Sequence, residues 1–236
     1  MSKKNVIETI KNLKKEISPL VDERLSDFKK NINKNDDELF VELCFCIIVA
    51  NNSIENALRA YNSIGLDFLK LNDDQLKNKL KITARRFYNK RAEYIINARN
   101  IKDEFYKKIN ELKKYYLENN LKTKKPKTSK QKDKNYFEFE SEFRNWLANN
   151  IKGFGLKEAS HYMRNLGFFN FAILDRHILK FLYKNQIIKE IPKTITKKNY
   201  FDIEKIIINL AEELNMNMAE LDVYLFYIDS GRICEK

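Results

Sequence analysis

Between Asn5 and about Phe28, apolar side chains recur at Val6, Ile7, Ile10, Leu13, Ile17, Leu20, Val21 and Leu25. A period of about 3.6 residues predicts one or two amphipathic helices there, with a break around Ser18-Pro19. Asp36 and Asp37 supply an N-cap and a first-turn acid for a helix over Glu38 to Ala50. Its run Leu43-Cys44-Phe45-Cys46-Ile47-Ile48-Val49 is dense enough to be buried on most sides. Asn51-Asn52-Ser53 ends that helix, Asn52 or Ser53 can cap another from Ile54 to about Ser63, and Gly65 stops it. Asn72-Asp73-Asp74 opens a short helix through Leu80. From Tyr88 to Phe105, Tyr94, Ile95, Ala98 and Ile101 keep helical spacing, with Arg85, Arg86, Lys90 and Arg91 gathered at the entry. Residues 121–135 break the pattern, with seven lysines, one proline and almost nothing apolar. Such a stretch predicts a mobile insertion, either an electrostatic arm on DNA or a tolerated surface loop. Helical periodicity returns from Tyr136 to Asn150 through Phe137, Phe143, Trp146 and Leu147, and further helices are expected at about 176–187, 196–213 and 217–229.

Composition narrows the class. Five Gly and three Pro in 236 residues are too few for a turn-rich β protein, so the chain is predicted to be all-α. Three cysteines exclude a disulfide scaffold and fall short of a four-thiolate zinc or iron–sulfur site; Cys44 and Cys46 are expected in the core. No apolar stretch reaches the roughly 20 residues of a membrane span, and the amino terminus leads straight into an amphipathic pattern, so the expectation is a soluble cytoplasmic protein. Lys and Arg outnumber Asp and Glu by 45 to 33, a formal charge of +12 that suits a polyanionic partner. Coding bias that inflates Lys, Asn and Ile together would also raise it, so charge alone does not assign nucleic-acid binding.

The segment Asn150-Ile151-Lys152-Gly153-Phe154-Gly155-Leu156-Lys157-Glu158-Ala159-Ser160-His161 carries more. Two of the five glycines lie two positions apart between amphipathic segments, predicting a helix–hairpin–helix. A glycine turn opening a helix presents backbone N–H groups at the positive end of the dipole, a site for one phosphate that is indifferent to base sequence. Gly153, Phe154 and Gly155 are therefore candidate DNA contacts, although a plain helical hairpin would look the same. Lys157 falls in the first turn of the second helix, where a cation opposes the dipole and calls for another reason to be there. Eighteen positions on, Asp175 stands at the natural N-cap of the next helix, where capping alone would explain it.

The pattern Gly153-Phe154-Gly155-Leu156-Lys157-Glu158-Ala159, continued to Leu174-Asp175-Arg176-His177, resembles the helix–hairpin–helix and Asp motif of the endonuclease III superfamily of DNA glycosylases. The stretches Leu43-Cys44-Phe45-Cys46, Arg86-Phe87-Tyr88-Asn89-Lys90-Arg91-Ala92-Glu93-Tyr94-Ile95, Lys157-Glu158-Ala159-Ser160-His161 and Leu221-Asp222-Val223-Tyr224 are similar to archaeal-type (type 2) 8-oxoguanine DNA glycosylase/AP lyases. The resemblance implies two helical subdomains, 1–35 with 168–236 and 36–167, with the substrate cleft between them. It implies Lys157 as nucleophile and Asp175 as essential carboxylate. An amine can displace the base at the anomeric carbon, form a Schiff base and permit β-elimination of the 3′ phosphate. The amine must be neutral to attack, and burial, the helix N-terminus and cations such as Lys152 and Arg176 would favour that form.

The same resemblance places Asn51 and Asn52 at the base left unpaired by extrusion of the lesion, His177 at a phosphate, and Phe226 and Lys236 at the base pocket. It implies duplex DNA containing oxidised guanine as partner, a monomer, no membrane, and neither metal nor cofactor. The aromatic run Phe168-Phe169-Asn170-Phe171 departs from the Gly- and Pro-rich loop common in the superfamily, and Phe226 stands where many relatives have an indole. A glycosylase for oxidised pyrimidines remains an alternative, because the Lys/Asp pair reports mechanism and says little about the base; a non-catalytic hairpin protein is a second, against which Lys157 and Asp175 count, since phosphate binding by backbone amides needs neither.

Overall fold

The computed structural model describes residues 3–122 and 129–234, with side chains outside 119–136. Among these residues there are eleven α-helices and no strand: α1 (Lys3–Asn31), α2 (Asp36–Val49), α3 (Ile54–Ile64), α4 (Asp73–Thr83), α5 (Tyr88–Asn100), α6 (Lys102–Lys122), α7 (Ser129–Asn150), α8 (Leu156–Asn165), α9 (Arg176–Lys184), α10 (Lys197–Glu213) and α11 (Met218–Ser230). A 3-10 turn over Gly65–Leu69 follows α3. The all-α expectation holds. The chain divides into two compact units, Met1–Asn31 with Met163–Lys236, and Ile32–Tyr162.

In the unit Ile32–Tyr162 the core is α2. Leu39, Phe40, Leu43, Cys44, Phe45, Cys46 and Ile48 are all buried, and all three cysteines of the chain are buried and free. Its N-cap is Asn35, one residue earlier than expected: Asn35 accepts from the Glu38 N–H and Glu38 accepts from the Asn35 N–H, a reciprocal capping box that Asp36 could not make. Phe40 and Tyr162 both meet Phe105, and the Tyr162 hydroxyl donates to the Leu39 carbonyl at 3.1 Å. Ser53 caps α3, and Asn72 caps α4 in a second capping box with Gln75.

The expected helix over Tyr88–Phe105 is two helices, broken at Ile101 (φ −113°), and α6 then continues well past Phe105. Among its described side chains Phe105, Ile109 and Leu112 are buried, an i, i+4, i+7 stripe interrupted by lysines. Part of the stretch expected to be a mobile insertion at 121–135 is helical: α6 reaches Lys122 and α7 begins at Ser129, since Lys and Gln are sound helix formers even with nothing apolar to bury. The rest of that stretch, 123–128, lies outside the described residues, as does Lys236.

In the other unit α1 is one helix running through Pro19, without the break expected there. Buried residues on both sides of the proline, Val6 and Ile10 before it and Val21, Leu25 and Phe28 after it, hold one continuous apolar stripe against the loss of a single helical hydrogen bond. Lys3 pairs with Glu213 at 2.7 Å and Lys14 with Glu220 at 3.0 Å. A buried node closes this core: Arg164 lies 4.7 Å from the Phe28 ring centroid, donates to Asp222 at 2.6 Å and donates twice to the Asn165 side chain. Burial pushes the Asp222 carboxyl up, Arg164 pulls it back, and the charge of Asp175 adds to the upward push.

Candidate active site

The predicted hairpin is present. Chain direction reverses between α7 and α8 through Ile151–Gly155, with the Phe154 N–H donating to the Ile151 carbonyl at 3.0 Å. Gly153 has φ +87°, and a Cβ there would lie 2.3 Å from Cδ2 of Tyr94, so both backbone and packing demand glycine. A Cβ at Gly155 would meet nothing closer than Glu158 Oε2 at 3.5 Å. Lys152 is tied to Glu93 of α5 at 2.6 Å, and with Lys90 it holds that carboxylate down to about 2. Tyr94 and Glu93 thus brace the turn from outside the hairpin, a role that periodicity alone does not disclose.

Lys157 occupies the second position of α8, its side chain 24% exposed. Its ammonium lies 3.4 Å from Glu158 Oε1, while Glu158 Oε2 accepts the Gly155 N–H at 3.1 Å. Two sequence expectations change here. The Gly155 N–H is occupied by Glu158, in half of a capping box. Lys152 is answered by Glu93, so the charged neighbour on Lys157 in this unit is a carboxylate and not the expected cation.

Asp175 begins α9 as its N-cap, in extended conformation (φ −91°, ψ 177°), with Oδ1 accepting the Ile178 N–H at 2.8 Å. Among the described residues no partner is found for Oδ2. The aromatic segment before it is a buried, anchored strap. The Phe169 carbonyl accepts from Met218 N–H, the Ala172 N–H donates to Glu204 at 2.9 Å, and the Tyr200 hydroxyl donates to the Ala172 carbonyl at 2.6 Å. Gly167 (φ +90°) passes so close to Lys29 that a Cβ would sit 2.8 Å from the Lys29 Cα. Buried aromatics thus fix the course of this loop without a Gly- or Pro-rich sequence. His177, two residues on, is exposed and lies 3.0 Å from Asp229 of α11. Phe226 is half-buried on α11.

Asn51 and Asn52 stand at the end of α2, Asn51 exposed with φ +54°. Asn52 donates to the Ala84 carbonyl at 3.1 Å, which joins this turn to the one between α4 and α5. The sequence marks that second turn only as a basic cluster, and it holds more: Arg85 (φ +61°) and Phe87 (φ +54°) are both left-handed, and Phe87 is 57% exposed. The guanidinium carbons of Arg86 and Arg91 lie 5.4 and 5.7 Å from the Phe87 ring centroid. An exposed ring held between arginines on a turn of this kind can enter a base stack. Its signal in the sequence was an aromatic inside an Arg/Lys cluster. Lys157 with the hairpin glycines, and Asn51 and Asn52, belong to the unit Ile32–Tyr162, whereas Asp175, His177 and Phe226 belong to the other. Among the described residues, no group of three or more His, Cys, Asp or Glu side chains could hold a metal ion, and no helix is long and apolar enough to cross a membrane.

Comparison with known proteins points the same way. The profile of the 8-oxoguanine DNA glycosylase family matches residues 21–216. The chain is 42% identical over 227 residues to an 8-oxoguanine DNA glycosylase/AP lyase of Methanocaldococcus jannaschii, covering 96% of each chain. It is 38% identical to the one from Thermoplasma volcanium, covering 92% of this chain and 93% of the relative. Among solved structures, the 8-oxoguanine DNA glycosylase of Thermotoga maritima matches with a TM-score of 0.82 at 31% identity, covering 99% of this chain and 100% of that one. The M. jannaschii glycosylase/lyase in complex with a 15mer DNA containing 8-oxoguanine matches with a TM-score of 0.80 at 38% identity, covering 98% and 99%.

Proposed function

The chain belongs to the 8-oxoguanine DNA glycosylase family, and from that premise we propose that Lys157 is its nucleophile and Asp175 its essential carboxylate. It is a DNA repair enzyme that excises 8-oxoguanine from DNA and cleaves the strand at the abasic site left behind. The observation that carries the assignment is the position of Lys157, part-covered in the first turn of α8 directly behind the two-glycine reversal.

In the proposed sequence the neutral Lys157 amine attacks the anomeric carbon of the extruded nucleotide. The glycosidic electron pair leaves with the base. Positive charge building on the sugar is stabilised by the Asp175 carboxylate through Oδ2, since Oδ1 serves the cap. Ring opening gives the protonated Schiff base, the neighbouring sugar proton becomes acidic, and β-elimination expels the 3′ phosphate. Nothing in these steps calls for a metal or cofactor. The backbone of Gly153 and Phe154 binds phosphate, His177 a second phosphate, Asn51 and Asn52 face the orphaned base, and Phe87 enters the stack beside it. Phe226 and Lys236 contact the excised base. The enzyme acts as a monomer on duplex DNA in the cytoplasm.

Borohydride trapping on duplexes carrying 8-oxoguanine, an oxidised pyrimidine or a preformed abasic site tests the reading. Trapped adduct is expected on the first and third. Faster trapping on the oxidised pyrimidine would reassign the substrate, and duplex binding with no adduct at all would leave a non-catalytic hairpin protein.

A further inference from the structure

Arg91, on the second turn of α5, is 3% exposed, yet it makes one side-chain hydrogen bond, from Nη2 to the Ala50 carbonyl at 2.8 Å. Among the described residues its Nε and Nη1 have no hydrogen-bond partner. Burying a guanidinium with most of its donors unmet is costly, so packing alone does not account for it. Burial, and after it the charge of Arg86, pushes this group down to about 10, which leaves it cationic at neutral pH.

What the side chain touches explains its retention. Ala50 is the last residue before Asn51 and Asn52, and its carbonyl is fixed by Arg91 from a segment 41 positions away. The same guanidinium lies 5.7 Å from the Phe87 ring centroid, and the Arg91 N–H donates to the Phe87 carbonyl at 2.9 Å. Among the described residues, three of the five non-glycine residues with positive φ, Asn51, Arg85 and Phe87, fall in the two turns that Arg91 touches or adjoins. Such conformations persist only where surrounding contacts hold them.

We propose that Arg91 is a positioning residue that makes the turn at Asn51-Asn52 and the turn at Arg85–Phe87 act as one reader of the strand opposite the lesion, without itself touching DNA. The proposal rests on the reading given above for Asn51 and Phe87. It assigns to a buried side chain the task of setting the spacing between the group that faces the orphaned base and the ring that enters the stack.

A double-mutant cycle tests it by single-turnover excision of 8-oxoguanine from duplex DNA, with thermal melting on each preparation. Asn51→Ala and Phe87→Ala are each expected to slow excision about tenfold, and in an Arg91→Met background Phe87→Ala should add less than about twofold, the non-additivity of one unit. Arg91→Lys, which keeps the charge and a donor for the Ala50 carbonyl, is expected to restore part of the excision that Arg91→Met loses at matched melting temperature. A full Phe87→Ala loss in the Arg91→Met background overturns the proposal. If Arg91→Met does not fold, the cycle between Asn51→Ala and Phe87→Ala with Arg91 in place decides: non-additive losses support coupling and additive losses overturn it. Silence of both single variants is a different failure, removing the opposite-strand reading itself.

Discussion

The first turns of α8 and α9 each carry one of the two proposed catalytic side chains, but they are built differently. At α8 the chemistry and the cap are separate: Gly155 starts the helix, Glu158 returns to its N–H, and Lys157 between them bonds none of the turn's backbone, although its ammonium pairs with the Glu158 carboxylate. At α9 they coincide, because Asp175 caps the helix with Oδ1 and is the proposed stabiliser of the sugar cation. A nucleophile can thus be removed from α8 without loosening its helix, whereas the carboxylate cannot be truncated without disturbing α9.

The largest effect expected from this contrast is at Lys157. Lys157→Gln should abolish base release and trapped adduct while keeping stability within about 0.5 kcal/mol of wild type, as for a substitution outside the core and the cap. Residual excision at near-wild-type rate would take the chemistry away from α8. At Asp175 two substitutions separate what one residue combines. Asp175→Asn retains the cap and loses the charge, so it should melt like wild type and excise at least about a hundredfold more slowly, the effect of about 2.7 kcal/mol of transition-state stabilisation. Asp175→Ala should show the same kinetic loss and, in addition, a stability loss of about 0.5–2 kcal/mol. Equal rates for Asp175→Asn and wild type would reduce Asp175 to a cap.

The hairpin offers a smaller test. Gly153→Ala, forced into φ +87° with its Cβ against Tyr94, should destabilise by at least about 1 kcal/mol and weaken duplex binding. Gly155→Ala, with only ordinary contact around its Cβ, should stay within about 0.5 kcal/mol. Comparable melting temperatures would remove the Tyr94 brace. The smallest effect concerns pH. Glu93 is held near 2 against an ordinary value of 4.5, so its unfolded form takes up the proton first. Its contribution to the hairpin is complete above about 4.5 and is lost as pH falls through about 2. Glu93→Gln should therefore lower the melting temperature above about 4.5, where that contribution is complete, and flatten its dependence on pH across the window below.

The same contrast explains what could be read from the sequence. Residues that act through local chemistry were legible. Gly153 and Gly155 mark a reversal, Asp175 precedes an amphipathic run, and the buried α2 declares itself by composition. Residues that act through distant contacts were not. Phe87 has a left-handed backbone in a turn that Asn52 ties down through the Ala84 carbonyl 32 positions along the chain, and the Arg/Lys cluster around it announces charge and not that conformation. Pro19 pointed to a break that packing on both sides of it overrode, and α6 was hidden because its buried stripe is threaded among lysines. The path of the segment 168–174 follows from Tyr200, Glu204 and Met218, which lie 28 or more positions beyond the residues they hold.

The central claim, that Lys157 forms the covalent bond to DNA, is tested most directly by reducing the enzyme–DNA intermediate on an 8-oxoguanine duplex with borohydride and locating the modified residue by peptide mass mapping. The account predicts a single sugar-bearing residue at Lys157, and no such peptide from Lys157→Gln. An adduct on another lysine or on the amino terminus in the wild-type protein would contradict it.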